Sequence, residues 1–382
     1  MDEVVRYTYR LRPGCTAEAA LVAEWGRCRW LWNEAVHQQR SGRKPTFARL
    51  GKLLTQARAA MLWLREGSQV AQQQMLSDYA RALDQSFTVK GRGRPKVKSR
   101  KSSLPSLEYT RRGFSIREGR LILPKGVAVP VVWSRELPSE PTSVRVGRDS
   151  LGHWYASFVV RRQIQPHPHG QGNIGVDWGV TTTATTTAPA FDLPHLGHRR
   201  RCAAELARAQ RTMARRHRKG RPQSRGYADA RRHVARLAKR SALRTVHDSR
   251  VWAKRVVDHH HLIAVEDFEP KFLAKSTMAR NAADAAIGAA KRELIERATR
   301  AGRKVVMVRP AYTTMTCSRC FARTKRLELH ERDFRCPHCG YADSRDRNAA
   351  RVVLAVAERG HVSVEDVRQS DHLLRVDGSV AV

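Results

Sequence analysis

The sequence is short of acid: 35 Asp and Glu stand against 72 Lys and Arg in 382 residues, for a formal charge of +37. A chain with that surplus repels itself unless a polyanion neutralises it, so the partner expected is nucleic acid. The chain also lacks any run of 18 apolar residues and any lipidation motif, which leaves no expected membrane span or anchor. Its opening twenty residues are charged throughout and hold no apolar core, so no secretory signal is expected there. Cysteine is scarce as well. Of seven, Cys15, Cys28 and Cys202 are isolated, a usage that suits a reducing compartment and a cytoplasmic location.

The other four cysteines are patterned. Cys317 and Cys320 form one C-x-x-C, Cys336 and Cys339 another, and the fifteen intervening residues, 321 to 335, make a loop of the length that folds around one tetrahedral zinc. Four thiolates leave no position for water, so such a zinc is structural; redox or merely buried cysteines are the alternative. Directly after the second pair, Asp346 stands at the start of a helical pattern carrying Val352, Val353, Val356 and Ala357. An acid there complements the helix dipole, and on local evidence that role and an active-site one stand equal.

From the beginning, Val5, Tyr7, Tyr9 and Leu11 alternate with polar residues, the period of a half-buried strand ended by Pro13 and Gly14. Thr16 can then cap a helix with Leu21, Trp25, Cys28, Trp32, Ala35 and Val36 on one face, where the tryptophans are core residues or bases' stacking partners. Helical stretches follow around Phe47 to Leu64 and along Leu76, Tyr79, Ala80, Leu83 and Phe87. Lys90 to Lys101 holds seven cations in twelve residues with no acid, and reads as an unpacked linker that grips phosphates. Phe114 to Val160 is β-patterned, with the spacing of a small antiparallel barrel that the opening strand could close. Residues 163 to 173 are rich in Pro, His and Gly and read as a linker, with His167 and His169 a lesser metal-binding alternative.

A second unit then begins. Ile174 to Val180 is an apolar strand with Asp177 at its centre, and His261 to Phe268 is another that ends in Glu266 and Asp267. Between them, Arg199 to Arg250 holds 18 Lys or Arg against three acids and reads as two basic helices joined by a loop from Arg218 to Gly226, with Val234, Leu237, Ala238, Ala242 and Val246 as the apolar stripe. A long helix, about Ala279 to Ala301, leads to a third strand at Lys304 to Val308, so this region reads as mixed α/β. If those strands are neighbours, Asp177, Glu266 and Asp346 converge. Such a carboxylate set suits a pair of Mg²⁺ ions serving phosphodiester hydrolysis.

Five segments in order, GVDWG at 175 to 179, IAVEDF at 263 to 268, YTTMTCSRC at 312 to 320, CPHCG at 336 to 340 and RDRNAA at 345 to 350, resemble the TnpB family. These are the insertion-sequence-encoded RNA-guided nucleases related to type V CRISPR effectors. The resemblance implies a multidomain α/β protein, with a wedge-like β-barrel at 1–14 and 103–166 and a helical recognition domain with its basic linker at 15–102. It further implies a RuvC-like nuclease domain of RNase H fold at 171–311 and 343–382, and a zinc ribbon at 312–342. Asp177, Glu266 and Asp346 would hold catalytic Mg²⁺, and Cys317, Cys320, Cys336 and Cys339 structural Zn²⁺. Guide RNA and target double-stranded DNA are the implied partners, with Arg27, Arg92, Arg94, Lys96, Lys98, Arg215 and Arg216 as contacts, and the protein would sit on the nucleoid when bound to DNA.

The implied activity is RNA-guided, metal-dependent DNA cleavage. An RNA-guided repressor without cleavage, or a DNA-only resolvase or transposase, are the alternatives; the first is disfavoured by the presence of all three acids. Two positions depart from the family pattern: Ser344 stands where aspartate is common and Phe321 where glycine is usual.

Overall fold

The computed structural model describes residues 2–42, 45–100, 103–163, 170–269, 279, 285–324, 328 and 331–377. The linker histidines His167 and His169 lie outside the described residues. The chain is mixed α/β and divides into two compact units, residues 1–164 and 165–382.

In the first unit, strand β1 (Asp2–Leu11) is followed by helices Cys15–Arg40, Phe47–Ala60, Leu62–Arg65 and Gln69–Thr88. Six strands come next: β2 (Ser106–Thr110), β3 (Ser115–Arg117), β4 (Arg120–Leu123), β5 (Val127–Val132), β6 (Ser143–Arg148) and β7 (Trp154–Gln163). All seven join one curled antiparallel sheet in the order β2-β6-β7-β1-β5-β4-β3. β1 pairs with β7 along its whole length and with β5 only at Arg10 and Leu11. One core covers sheet and helices together, with Trp25, Tyr79, Leu107, Val146 and Phe158 all buried in it.

Three local expectations are corrected here. The first helix starts at Cys15 after Gly14 with no side-chain cap, so Thr16 lies inside it. Met61 adopts an extended backbone (φ −122°, ψ 107°) and breaks the expected Phe47–Leu64 helix in two. Phe87 is 68% exposed, because its helix ends one residue later and the core cluster stops at Leu83.

The basic linker is pinned, although it has no regular structure. Asn33 accepts from the Lys98 backbone N–H (2.8 Å) and donates to its carbonyl (3.0 Å), and Trp32 Nε1 donates to Lys96 O (2.9 Å). Lys98 Nζ therefore lies 3.4 Å from the Trp32 ring centre. Trp25 and Trp32 are buried, the core reading of the two.

In the second unit, β8 (Gly172–Trp178), β9 (Thr182–Thr186), β10 (Leu193–Pro194), β11 (His260–Glu266) and β12 (Lys304–Val308) form a five-stranded sheet in the order β10-β9-β8-β11-β12. β8, β11 and β12 are parallel to one another, β9 is antiparallel to β8, and β10 is antiparallel to β9. Side chains alternate across the strands. Ile174, Val176, Ile263 and Val265 face a core made with Trp252, Val256 and Leu294, whereas Ala264 and Val308 face one made with Val352, Val353 and Val356.

The basic helices are Ala203–Arg215 and Arg225–His259, joined by a loop as expected. The apolar stripe is not the expected one. Ala238 and Ala242 are exposed, and the buried face runs through Ala230, Leu237, Ser241, Ser249, Trp252 and Val256. A helix of 35 residues is about 52 Å long and meets helix Ala203–Arg215 along one part and helix Ile287–Arg300 along another, so no single stripe serves it. A hairpin of β13 (Asp333–Arg335) and β14 (Ala342–Ser344) leads straight into helix Arg345–Glu358, and the tail carries one more helix, Val364–Asp377.

Candidate functional site

The two strand acids meet because of register. β8 and β11 pair Val176 with Val265, so Asp177 and Glu266 come next on adjacent parallel strands and face the same side. That side is the one covered by helix Arg345–Glu358. Both carboxyls are buried and share a side-chain hydrogen bond. Burial, then the negative charge of Glu266 and Asp346, hold Asp177 well above the usual carboxylate range. Burial likewise pushes Glu266 up to about 7, against the pull of a hydrogen bond from Thr313 and the charge of Lys291. Both environments thus favour the protonated form of the pair.

Asp346 enters from the first turn of its helix, capped by Ser344, whose Oγ accepts from Arg347 N at 3.3 Å. Serine in place of aspartate therefore keeps the cap. Three contacts fix how close this helix comes. Gly175 makes room: a Cβ there would stand 2.0 Å from Ala350 O. Arg347 grips Asp192 through two nitrogens, at 3.0 and 2.8 Å. Asn348, fully buried, donates to Thr316 O (2.8 Å) and accepts from Ser318 N (3.0 Å). Asp346 is looser than the other two acids: among the described residues, the cysteines alone form a group of three or more ligand atoms within 4.8 Å.

Those cysteines are Cys317, Cys320, Cys336 and Cys339, drawn together by two tight turns. Sulfur separations are 3.7 Å for Cys317–Cys339 and 3.6 Å for Cys320–Cys336. Burial works against a Cys336 thiolate, yet backbone N–H groups of Cys339 and His338 point at the sulfur and bring its pKa down to about 7. The four sulfurs together can hold a metal ion. Gly340 takes φ +68° at the second turn, and at the first the same left-handed region falls to Phe321 (φ 56°). Its ring is buried with Val352, Val353 and Val356, beneath the Arg359 guanidinium at 3.9 Å.

The seven cations expected at nucleic acid are placed unequally. Arg92, Arg94, Lys96, Arg215 and Arg216 are exposed. Arg27 is half-buried, pairing with Glu24 (3.4 Å) and Glu66 (3.3 Å) and donating to Trp63 O, and Lys98 lies over tryptophan. These two are spent on the fold. Sequence reasoning missed the roles of Gly175, Asp192, Thr313, Arg347 and Asn348; all but Asp192 lie within the motif segments quoted above.

The model of the Cas12f1-like TNB domain matches residues 288–353, which span helix Ile287–Arg300, the cysteines and Asp346. A Streptomyces pristinaespiralis protein named as an inferred RNA-guided DNA endonuclease is 32% identical over 372 residues, covering 93% of this chain and 90% of its own. The Escherichia coli K-12 protein InsQ, named in the same way, is 26% identical over 382 residues, with 93% and 92% covered. Cas12f1, solved by cryo-EM with sgRNA and target DNA, is similar at a TM-score of 0.49 and 13% identity, over 92% of this chain and 98% of that one. Identity of 32% along nearly the whole length of both chains decides the matter: this chain belongs to the TnpB family, alongside these RNA-guided DNA endonucleases.

Proposed function

We propose that this protein is an RNA-guided DNA endonuclease whose active site is Asp177, Glu266 and Asp346, in a RuvC-like domain of RNase H fold. The observation that carries the reading is the burial of two adjacent carboxyls, joined from above by a third, in a chain of charge +37. Buried acids that repel one another cost stability, and a cation-binding role accounts for their retention. Their all-oxygen chemistry suits Mg²⁺. When bound, such ions activate water and stabilise the leaving oxygen of a phosphodiester. Asp177 and Glu266 would bind as carboxylates, while Asp346 closes the site from the helix. The order of the five-stranded sheet supports the RuvC-like assignment.

The four cysteines fit Zn²⁺: tetrahedral bonds of about 2.3 Å put sulfurs about 3.8 Å apart, close to the spacing found. We further assign residues 1–14 and 103–166 to a wedge-like barrel, 15–102 to a recognition domain, 171–311 and 343–382 to the nuclease, and 312–342 to the ribbon. Guide RNA pairs with one strand of target DNA, and the exposed cations hold the backbones.

The test is expression with the flanking genomic DNA, sequencing of the copurified RNA, and cleavage of a matched duplex in Mg²⁺. One abundant RNA with a fixed scaffold and a variable end, with cutting lost in Asp177→Ala but RNA retained, is expected. Random or absent RNA rejects guidance; undiminished cutting by Asp177→Ala rejects the site.

A further inference from the structure

Residues 309 to 316 link β12 to the first cysteine without a helix or strand of their own, yet Thr313 and Thr316 in this link are fully buried. Thr313 Oγ1 lies 3.0 Å from Glu266 Oε1 and 3.1 Å from Pro310 O. That geometry serves both protonation states of the acid. A Glu266 carboxylate accepts the threonine proton; a neutral carboxyl can donate to Oγ1 while the hydroxyl turns its proton to Pro310 O. Tyr312, just before, is held at φ 67° with the Arg323 guanidinium 3.1 Å above its ring, a conformation that costs about 1 kcal/mol or more and that the surroundings must enforce. Its carbonyl accepts from Thr316 Oγ1 (2.9 Å), and Thr316 O in turn accepts from Asn348. Asn348 lies two residues beyond Asp346.

We propose that residues 312 to 318 form a brace between the cysteine module and the carboxylates, with Thr313 the positioning residue for Glu266 and Asn348 that for Asp346. The brace rests on the carboxylate site proposed above. It explains why Thr313 and Thr316 are buried and Tyr312 is strained where a wholly exposed tether would serve a module that only had to be attached. Ribbon and active site are then one mechanical unit, and the acid spacing offered to a divalent cation is set from the ribbon side.

The experiment measures Mn²⁺ binding to the full-length chain by electron paramagnetic resonance, taking Asp177→Asn as baseline, beside zinc content. Thr313→Val is expected to weaken the Asp177-dependent binding about tenfold or more, as loss of a partner that orients a ligand does. Thr313→Ser, which keeps the hydroxyl, restores it, and both variants keep their zinc. Asp177-dependent binding that ignores Thr313→Val, or that serine fails to rescue, overturns the brace and leaves the carboxylate site standing. Loss of zinc from Thr313→Val overturns it too, by assigning the residue to ribbon folding. Binding that is indifferent to Asp177→Asn removes the carboxylate site and the brace together.

Discussion

Glu266 shows what a buried carboxyl costs its own fold. The native state holds the Glu266 proton up to about 7, whereas an exposed glutamate releases it near 4.5. The folded chain therefore binds more protons than the unfolded chain in that window, and stability is lost as pH rises through it. Without added divalent cation, Glu266→Gln should melt several °C above the parent at pH 8 and show a smaller gain at pH 5; the penalty removed is on the order of 3 kcal/mol. Equal melting at both pH values would mean that Glu266 is not held neutral. Phe321 makes the opposite trade. Glycine there would relieve about 1 kcal/mol of backbone strain but surrender a buried ring worth about 3–5 kcal/mol, so Phe321→Gly should loosen the ribbon and lower the melting temperature, read by calorimetry. What can be read from sequence at this scale is where an acid ends a strand or opens a helix, as at Asp177, Glu266 and Asp346. Thr313 could not be read, because its partner Glu266 is 47 residues away.

Among elements, helix Arg345–Glu358 sets the geometry, and Gly175 sets the helix. A methyl group at 175 meets the Ala350 carbonyl at 2.0 Å, backbone on both sides, so strand and helix must separate. Gly175→Ala is expected to slow cleavage about a hundredfold while leaving RNA binding and zinc content intact, since a shift of about 1 Å at a reacting centre has that effect. Wild-type cleavage by this variant would show that the helix does not position Asp346. The strands themselves were legible from alternation, β1 above all, because a half-buried strand prints its period on the sequence. The stripe of helix Arg225–His259 was not: packing against successive partners erases a single period, and Ala238 and Ala242 proved exposed. Neither was the pinning of the basic linker, which depends on Asn33 and Trp32 some 65 residues earlier.

For the whole molecule, the question is which of 72 cations remain for a polyanion. Composition gives the sum, and only the structure separates the half-buried Arg27 and Lys98 from the exposed Arg92, Arg94 and Lys96. Replacing those three exposed cations by glutamine should make the plot of log affinity for RNA against log salt shallower by about 2, at roughly 0.7 per cation on a single strand. Lys98→Met should leave the slope unchanged; if it falls as much per charge as the others, Lys98 leaves its tryptophan to reach RNA. The sequence of strands has a different kind of consequence. The helix bearing Asp346 packs on β8, whose own acid is synthesised 169 residues earlier, so a ribosome makes almost all of the Lys and Arg before the last carboxylate exists. On the function proposed, a chain cut short by a premature stop within the ribbon would keep most of those cations for nucleic acid but lack the third carboxylate needed to sever it. Errors of synthesis would then yield silent binders, not unguided scissors.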